Sequence, residues 1–371
     1  MLLGAVLLVV FRSKLCAAAR TGEPQKLGAD TIDATVTVVI GCHNEGDHLA
    51  ANLPKILNQR GVNFEVVVVD DCSTDSTPEV LKRLENDYKN LRHTFVPRTA
   101  RYVSHEKLSV SLGVRAARGS IVVLTRPSCA PLTDIWLKTI ASAFTPDTDI
   151  VVGYANYADN DTAAARRAIY ERMRYSLVWL LSTRGRAAGA DGGNMAFRRE
   201  AFLAADGYAD SLDRLFGVDD LLVRAMARRG NAAACTVPAA TVRDFGGPLR
   251  RAWRSERLQR AASFAYAPRR GSGATIAMNL TTWGIYLWIV GAAVAAIPLA
   301  LLKLWWAVAI VVVLTVALAC TDVAIVRCTE ARLCERRRGA IIVWYELTRP
   351  FSCLLWRLRA YAHRRDFARK I

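Results

Sequence analysis

From residue 36 onward, short β-branched apolar runs alternate with longer stretches whose apolar positions recur at helical spacing. The runs 36–40, 64–69, 120–125 and 149–153 predict strands, and the stretches near 46–59, 75–88, 106–118 and 133–144 predict amphipathic helices. Such alternation predicts an α/β fold built on a doubly wound, mostly parallel sheet. In that architecture ligands bind at the carboxyl ends of the strands, so the residues closing each strand are the first candidates for chemistry.

Past residue 270 the pattern changes. Residues 274–302 carry no charge, Lys303 interrupts, and 304–321 is apolar again. About 20 apolar residues cross a bilayer as a helix, so residues 274–326 are expected to form a transmembrane hairpin. Trp283, Trp288, Trp305 and Trp306 lie near its ends, as interfacial aromatics do. Buried core helices are the alternative for such runs. Residues 339–358 are apolar but broken by Glu346, Arg349, Pro350 and Arg357, which predicts an interfacial helix within a basic segment, 327–371. The run 1–11 is too short to span and lacks the pattern of a signal peptide, so 1–35 reads as a short or truncated anchor and linker.

Charge orients this arrangement. The chain carries 50 Lys and Arg against 33 Asp and Glu, a formal +17. Much of the excess sits in 243–270, with eight Arg and two acids, and in 327–371, with twelve basic residues and four acids. The positive-inside rule then places both flanks, and the α/β domain at 36–270, on the cytoplasmic side of an inner membrane crossed more than once. Basic residues that flank bilayer segments, without an interleaved aromatic patch, argue against nucleic acid as a partner. With 52% hydrophobic and 22% charged residues, a disordered or fibrous chain is excluded. Nine cysteines without a C-x-x-C pair indicate neither a disulfide framework nor a zinc site.

The first strand stops at Cys42, His43, Asn44 and Glu45, and the second at Asp70 and Asp71 within FEVVVVDDCSTDSTPEVL. Adjacent carboxylates at the end of an apolar strand repel each other unless a donor or cation joins them, which points to a ligand. Ser73, Thr74 and Asp75 can also cap the helix that follows. Neither G-x-G-x-x-G nor a P-loop occurs, which disfavours a dinucleotide dehydrogenase or a P-loop enzyme.

The strings VTVVIGCHNEGDHL and FEVVVVDDCSTDSTPEVL, with YVSHEKLSVSLGVRAARGSIVVLT, ADGGNMAFRREAF and FGVDDLLVRAM in that order, resemble family 2 of the inverting glycosyltransferases over roughly residues 36–265. The apolar hairpin after the catalytic domain resembles the membrane-bound bacterial members. The resemblance implies a GT-A fold and a nucleotide-sugar donor. Asn44, Glu45, Asp70 and Asp71 would hold base and ribose, and Lys107 would lie near the diphosphate, although it could equally be a solvated helix-start residue. Gly192, Gly193 and Asn194 would shape the donor and acceptor pocket. Asp219 matches the general base, with Asp220 as second choice; this pair could also cap a helix over 221–228. Membrane, and a lipid-linked or saccharide acceptor, are the remaining expected partners.

Two departures stand out. Where the family carries Asp-x-Asp, with a carboxylate for Mg²⁺ or Mn²⁺, this chain reads Thr125-Arg126-Pro127-Ser128-Cys129, so the cofactor is left open. Arg126 is the candidate to bind the diphosphate directly. Where membrane members tend to carry a Gln-x-x-Arg-Trp-like motif, Gln259 is followed by Arg260, Ala261, Ala262 and Ser263, leaving Trp253 and Gln259 as candidate pocket residues. A single hairpin leaves little room for a polymer channel, so non-processive transfer in surface polysaccharide or glycolipid synthesis is the leading reading. A nucleotide-binding pseudoenzyme acting as a scaffolding subunit is the alternative.

Overall fold

The computed structural model describes residues 35–97, 104–159, 162–247, 250–266 and 273–363. The chain divides into two compact units, one holding the sheet together with the end of the last helix, the other holding Gly273–Leu354. The expected N-terminal anchor at 1–11 and the basic tail beyond 363 lie outside the described residues.

In the sheet unit, β1 (Val36–Cys42), α1 (Gly46–Leu57), β2 (Phe64–Asp70), α2 (Thr77–Asp87), β3 (Leu91–Phe95), α3 (His105–Ala116) and β4 (Ile121–Thr125) follow one another. The strand order is β3-β2-β1-β4-β8-β6-β9, with β6 at Ile150–Val152, β8 at Met195–Arg198 and β9 at Ala232–Ala234. The sheet is mixed, because β8 runs antiparallel to both β4 and β6 while the other pairs are parallel. A second sheet of β5 (Cys129–Pro131), β10 (Val242–Asp244) and β7 (Ala155–Tyr157) lies in the same unit.

The central strands read as continuous apolar runs because both of their faces are covered. Val38, Ile40, Val66, Val68 and Val123 pack with Leu49, Leu53 and Ile56 of α1, while Val67 and Val69 meet Leu108 and Leu112 of α3. The register pairs Cys42 with Asp70 and Ile40 with Thr125. The parallel strands β1, β2 and β4 therefore end on one rim, which brings Asn44 and Glu45, Asp70 and Asp71, and Arg126 to the same edge. The four predicted strands appear within two residues of their expected bounds.

Three further helices belong to this unit: α4 (Trp136–Ala141), α5 (Ala163–Ser182) and α6 (Arg199–Ala204). They are followed by α7 (Asp220–Met226) and α8 (Arg250–Tyr266).

In the second unit, α9 (Gly273–Leu301) and α10 (Trp305–Arg332) are joined at Lys303, which takes a left-handed φ of 57°, and pack through Trp288, Ala292 and Leu318. Among the described residues, α10 is the helix long and apolar enough to cross a membrane; the apolar part of α9 is the shorter Tyr286–Leu301. Trp288 departs from the expected aromatic belt. It is buried between the two helices, where its Nε1 donates to Thr315 Oγ1 at 3.1 Å, because an indole N–H away from water needs an acceptor. Trp283, Trp305 and Trp306 remain exposed. The final helix, α11 (Ile341–Ala362), continues through Pro350 and exposes Trp344, Leu347, Phe351, Leu354 and Leu358 at helical spacing.

Candidate active site

Arg126 follows directly on β4 and so emerges at the carboxyl rim. Its Nη2 donates to Asp219 Oδ2 at 2.7 Å and its Nη1 to Asp191 Oδ1 at 3.1 Å. Asp219 occupies the residue before α7, yet its side chain caps no helical N–H. The helix-capping alternative raised by the sequence therefore does not describe this carboxylate, which turns instead to Arg126 and to the backbone N–H of Gly192. A Cβ at Gly192 would lie 2.2 Å from Asp219 Oδ1, so the loop can approach this closely only as glycine. Burial pushes the Asp219 carboxyl up to about 6, against the pull of Arg126 and with help from Asp191 and Glu106.

Behind this pair lies a buried layer of charge. Arg172 of α5 donates Nε and Nη2 to the two oxygens of Asp191 at 2.7 and 2.9 Å, and Nη1 to Asp244 at 2.8 Å. Burial opposes ionisation of Asp191, but Arg172 and Arg126 hold its carboxyl well below the usual carboxylate range. The Gly193 N–H donates to the same carboxylate at 2.9 Å. Arg260 of α8 stands 3.7 Å from Asp191, pairs with Glu256, and lies over the rings of Tyr175 and Trp179 at 5.3 and 5.4 Å. Glu256 also accepts from the Tyr157 hydroxyl.

Arg126, Asp219 and Asp220 open into a cavity with about 460 Å³ of space, continuous with solvent, whose walls include Glu106, Trp179, Glu256, Gln259, Arg260 and Ser263. The Asp220 carboxylate accepts from Ser263 Oγ at 2.5 Å. A carboxylate of raised proton affinity, a guanidinium and an aromatic wall thus face one hollow.

The donor-side candidates sit on the same rim but do not line this cavity. The Asp70 carboxylate accepts from Ser73 N and Oγ, and that of Asp71 pairs with His105 Nδ1 at 2.6 Å. Each of the adjacent carboxylates thus has a donor of its own within the chain, which removes the need for a ligand to reconcile them. Asn44 takes a left-handed φ of 54° and its Oδ1 accepts from Thr74 N, while Glu45 N donates to Thr77 Oγ1.

Three expected site residues lie away from the cavity walls. Lys107 is neither a solvated helix start nor a cavity residue: it is fully buried, Nζ donates to Ser211 O at 2.6 Å, and burial lowers its pKa to about 8. Asn194 is an interior tie rather than a pocket residue, since its Nδ2 donates to Tyr154 O and Ala240 O and its Oδ1 accepts from Trp136 Nε1. Trp253 packs against Tyr157, Ala168 and Ile169 under the Arg257 guanidinium, away from the cavity walls. Of the glycine pair, Gly192 positions Asp219 and Gly193 positions Asp191.

Asp191, Arg172, Asp244, Glu256, Arg260 and Trp179 were not singled out as site residues. Asp191 had a legible signal, since it stands immediately before Gly192 in ADGGNM. The donor set does not fit a divalent metal. A guanidinium occupies the end of β4, and the carboxylates nearest to it, Asp191, Asp219 and Asp244, are already paired with Arg126 or Arg172. Among the described residues no trio of His, Cys, Asp or Glu is placed to hold a metal ion.

A mixed α/β sheet with its polar cavity at the carboxyl rim defines a GT-A-like domain, a likeness borne out by the mannosyltransferase PcManGT from Pyrobaculum calidifontis, solved in complex with GDP-Man and Mn²⁺. The two share a TM-score of 0.53 at 20% identity over 88% of this chain and 99% of that one, which establishes the fold. Residues 37–204 match the model of glycosyl transferase family 2, which marks that segment as a glycosyltransferase domain. S. aureus TarS aligns with a TM-score of 0.42 at 14% identity, over 66% of this chain and 42% of that one. In sequence, 46 residues are 46% identical to the succinoglycan biosynthesis protein ExoO of Rhizobium meliloti (strain 1021), covering 12% of this chain and 13% of that protein. The match thus spans a small part of that relative's length.

Proposed function

We propose that this enzyme transfers a sugar, with inversion, from a nucleotide-sugar donor to a lipid-linked or membrane-presented saccharide acceptor. The observation that carries the reading is Asp219: a carboxylate on the cavity wall, free of helix capping, with its proton affinity raised by burial. An inverting transfer needs one base to take the acceptor hydroxyl's proton as that oxygen attacks the anomeric carbon opposite the leaving diphosphate. A base titrating near 6 is ionised at neutral pH and still holds a proton well enough to serve. Arg126 supplies fixed positive charge for the diphosphate. The wall of Trp179 and Gln259 offers an apolar ring face and an amide, suited to an acceptor sugar.

We infer that the reaction takes place at the cytoplasmic face of an inner membrane, with α9 and α10 crossing as a pair and α11 in the interface; the apolar length of α10 and the exposed apolar stripe of α11 support this. Similarity to a succinoglycan biosynthesis protein supports surface polysaccharide assembly as the setting. One observation favours the second reading, a nucleotide-binding subunit without turnover: the base is ion-paired in the free protein. A thermal-shift screen of the detergent-solubilised full chain against nucleotide sugars tests the first reading. A single donor class that raises the melting temperature is expected, and no response to any nucleotide sugar would reject it.

A further inference from the structure

The Arg126–Asp219 pair sets up a competition between base and donor. Two of the three groups in this chain of contacts are asymmetric in what they stand to lose. Asp191 is held at both oxygens by Arg172 and by the Gly193 N–H, so it stays compensated whether or not Arg126 touches it. Asp219 has Arg126 and one backbone N–H, from Gly192, against the negative charges of Asp191, Glu106 and Asp220 that also face it or share its cavity. Arg126 is 31% exposed and lines the cavity, and its Nη1 contact to Asp191 can act as a pivot while Nη2 moves.

We propose that Arg126 is a transferable counter-ion, paired with Asp219 in the free enzyme and passed to the diphosphate of the donor, so that donor binding releases the base. The inference rests on the nucleotide-sugar reading above. A diphosphate carries more negative charge than one carboxylate and offers paired oxygens to a guanidinium, so it wins Nη2. Asp219, left among Asp191, Glu106 and Asp220, then binds a proton more tightly than before. In the transfer, the acceptor hydroxyl's proton passes to Asp219 and its oxygen bonds to the anomeric carbon. The bond from that carbon to the diphosphate oxygen breaks, and its electron pair leaves with the nucleoside diphosphate, whose new charge falls on Arg126. Ordered binding follows: the base is armed after the donor is in place.

The test is calorimetric binding of UDP and GDP to the detergent-solubilised full chain at pH 7, in two buffers of different ionisation enthalpy. The wild type is expected to take up a fraction of a proton on binding. Asp219→Asn removes the competitor for Arg126 and is expected to bind about tenfold tighter, within the usual range of coupling between sites, with no proton uptake. Arg126→Gln is expected to bind about tenfold more weakly, and in its background Asp219→Asn brings no tightening. Thermal melts establish that each variant is folded; Arg126→Lys, which lacks the paired donors of the guanidinium, stands in for Arg126→Gln, and Asp219→Ser for Asp219→Asn, where either does not fold. Equal tightening by Asp219→Asn in both backgrounds would show plain repulsion and overturn the exchange, as would unchanged affinity. Wild-type protein that binds neither nucleotide would remove the donor reading itself, and this inference with it.

Discussion

Arg126 Nη2 lies 2.7 Å from Asp219 Oδ2, joining the guanidinium that follows β4 to the carboxylate proposed as the base. The two are 93 positions apart in the chain. The end of β4 and the start of α7 meet because β4 and the loop bearing Gly192 lie side by side: Thr125 Oγ1 donates to Gly193 O at 3.0 Å. Cation and base are thus fixed by the same strand end.

Asp219→Asn is expected to lower transfer by about 10²- to 10⁴-fold, the usual worth of a positioned base. Asp220→Asn should cost far less, because that carboxylate is occupied by Ser263 Oγ. Turnover of both variants with the donor identified by thermal shift checks the ranking, and equal losses would reverse the assignment.

The free enzyme governs kcat/KM, which should rise with pH through about 6 and then level, since Asp219 acts when ionised, while kcat should rise at a higher pH once the donor has drawn Arg126 away. Stability should move the other way. The folded pKa of Asp219 is raised above its unfolded value, so the folded state binds more protons between about 4 and 6, and this contribution is lost as pH climbs through that window. Asp191 has the opposite sign: its depressed pKa contributes stability above the ordinary carboxylate range that fades on acidification. Melting temperatures of wild type and Asp219→Asn across pH 4 to 8 separate the two, with Asp219→Asn losing the decline between about 4 and 6.

Arg172→Met is expected to destabilise the fold by about 3–5 kcal/mol, because it strands the buried carboxylates of Asp191 and Asp244. Urea unfolding measures it. A loss below about 1 kcal/mol would mean that Arg126 and Arg260 can neutralise both alone.

Gly192→Ala should leave stability nearly intact and reduce turnover about 100-fold, since the new methyl takes the place of Asp219 Oδ1 and displaces the base. Donor affinity within about twofold of wild type, beside a fall in turnover, would place the effect on the base rather than on the binding of substrate.

The parallel strands were legible because Val38–Ile40 and Val66–Val69 are buried on both faces and leave an unbroken apolar run. Asp219 stands out in the sequence as part of a motif and Arg126 as a break in one, and the structure brings the two into contact. The long helix α5 was not, since its buried face carries Glu171, Arg172 and Arg174 and so shows no apolar stripe. Arg172 finds its partners 19 and 72 residues away, a relationship that spacing along a chain cannot express. Lys107 and Asn194 were placed by family pattern at the ligand, but their polar groups are spent on the carbonyls of Ser211, Tyr154 and Ala240. A polar side chain that satisfies buried backbone looks, in sequence, like one that binds substrate.

The most direct test is transfer from labelled nucleotide sugars to a lipid-linked acceptor fraction by the full chain in excess chelator, with the anomeric configuration of the product read by NMR. Product of inverted configuration, formed at an undiminished rate in chelator and lost in Asp219→Asn, is expected. Retained configuration, or activity that persists in Asp219→Asn, would contradict the assignment of Asp219 as the base.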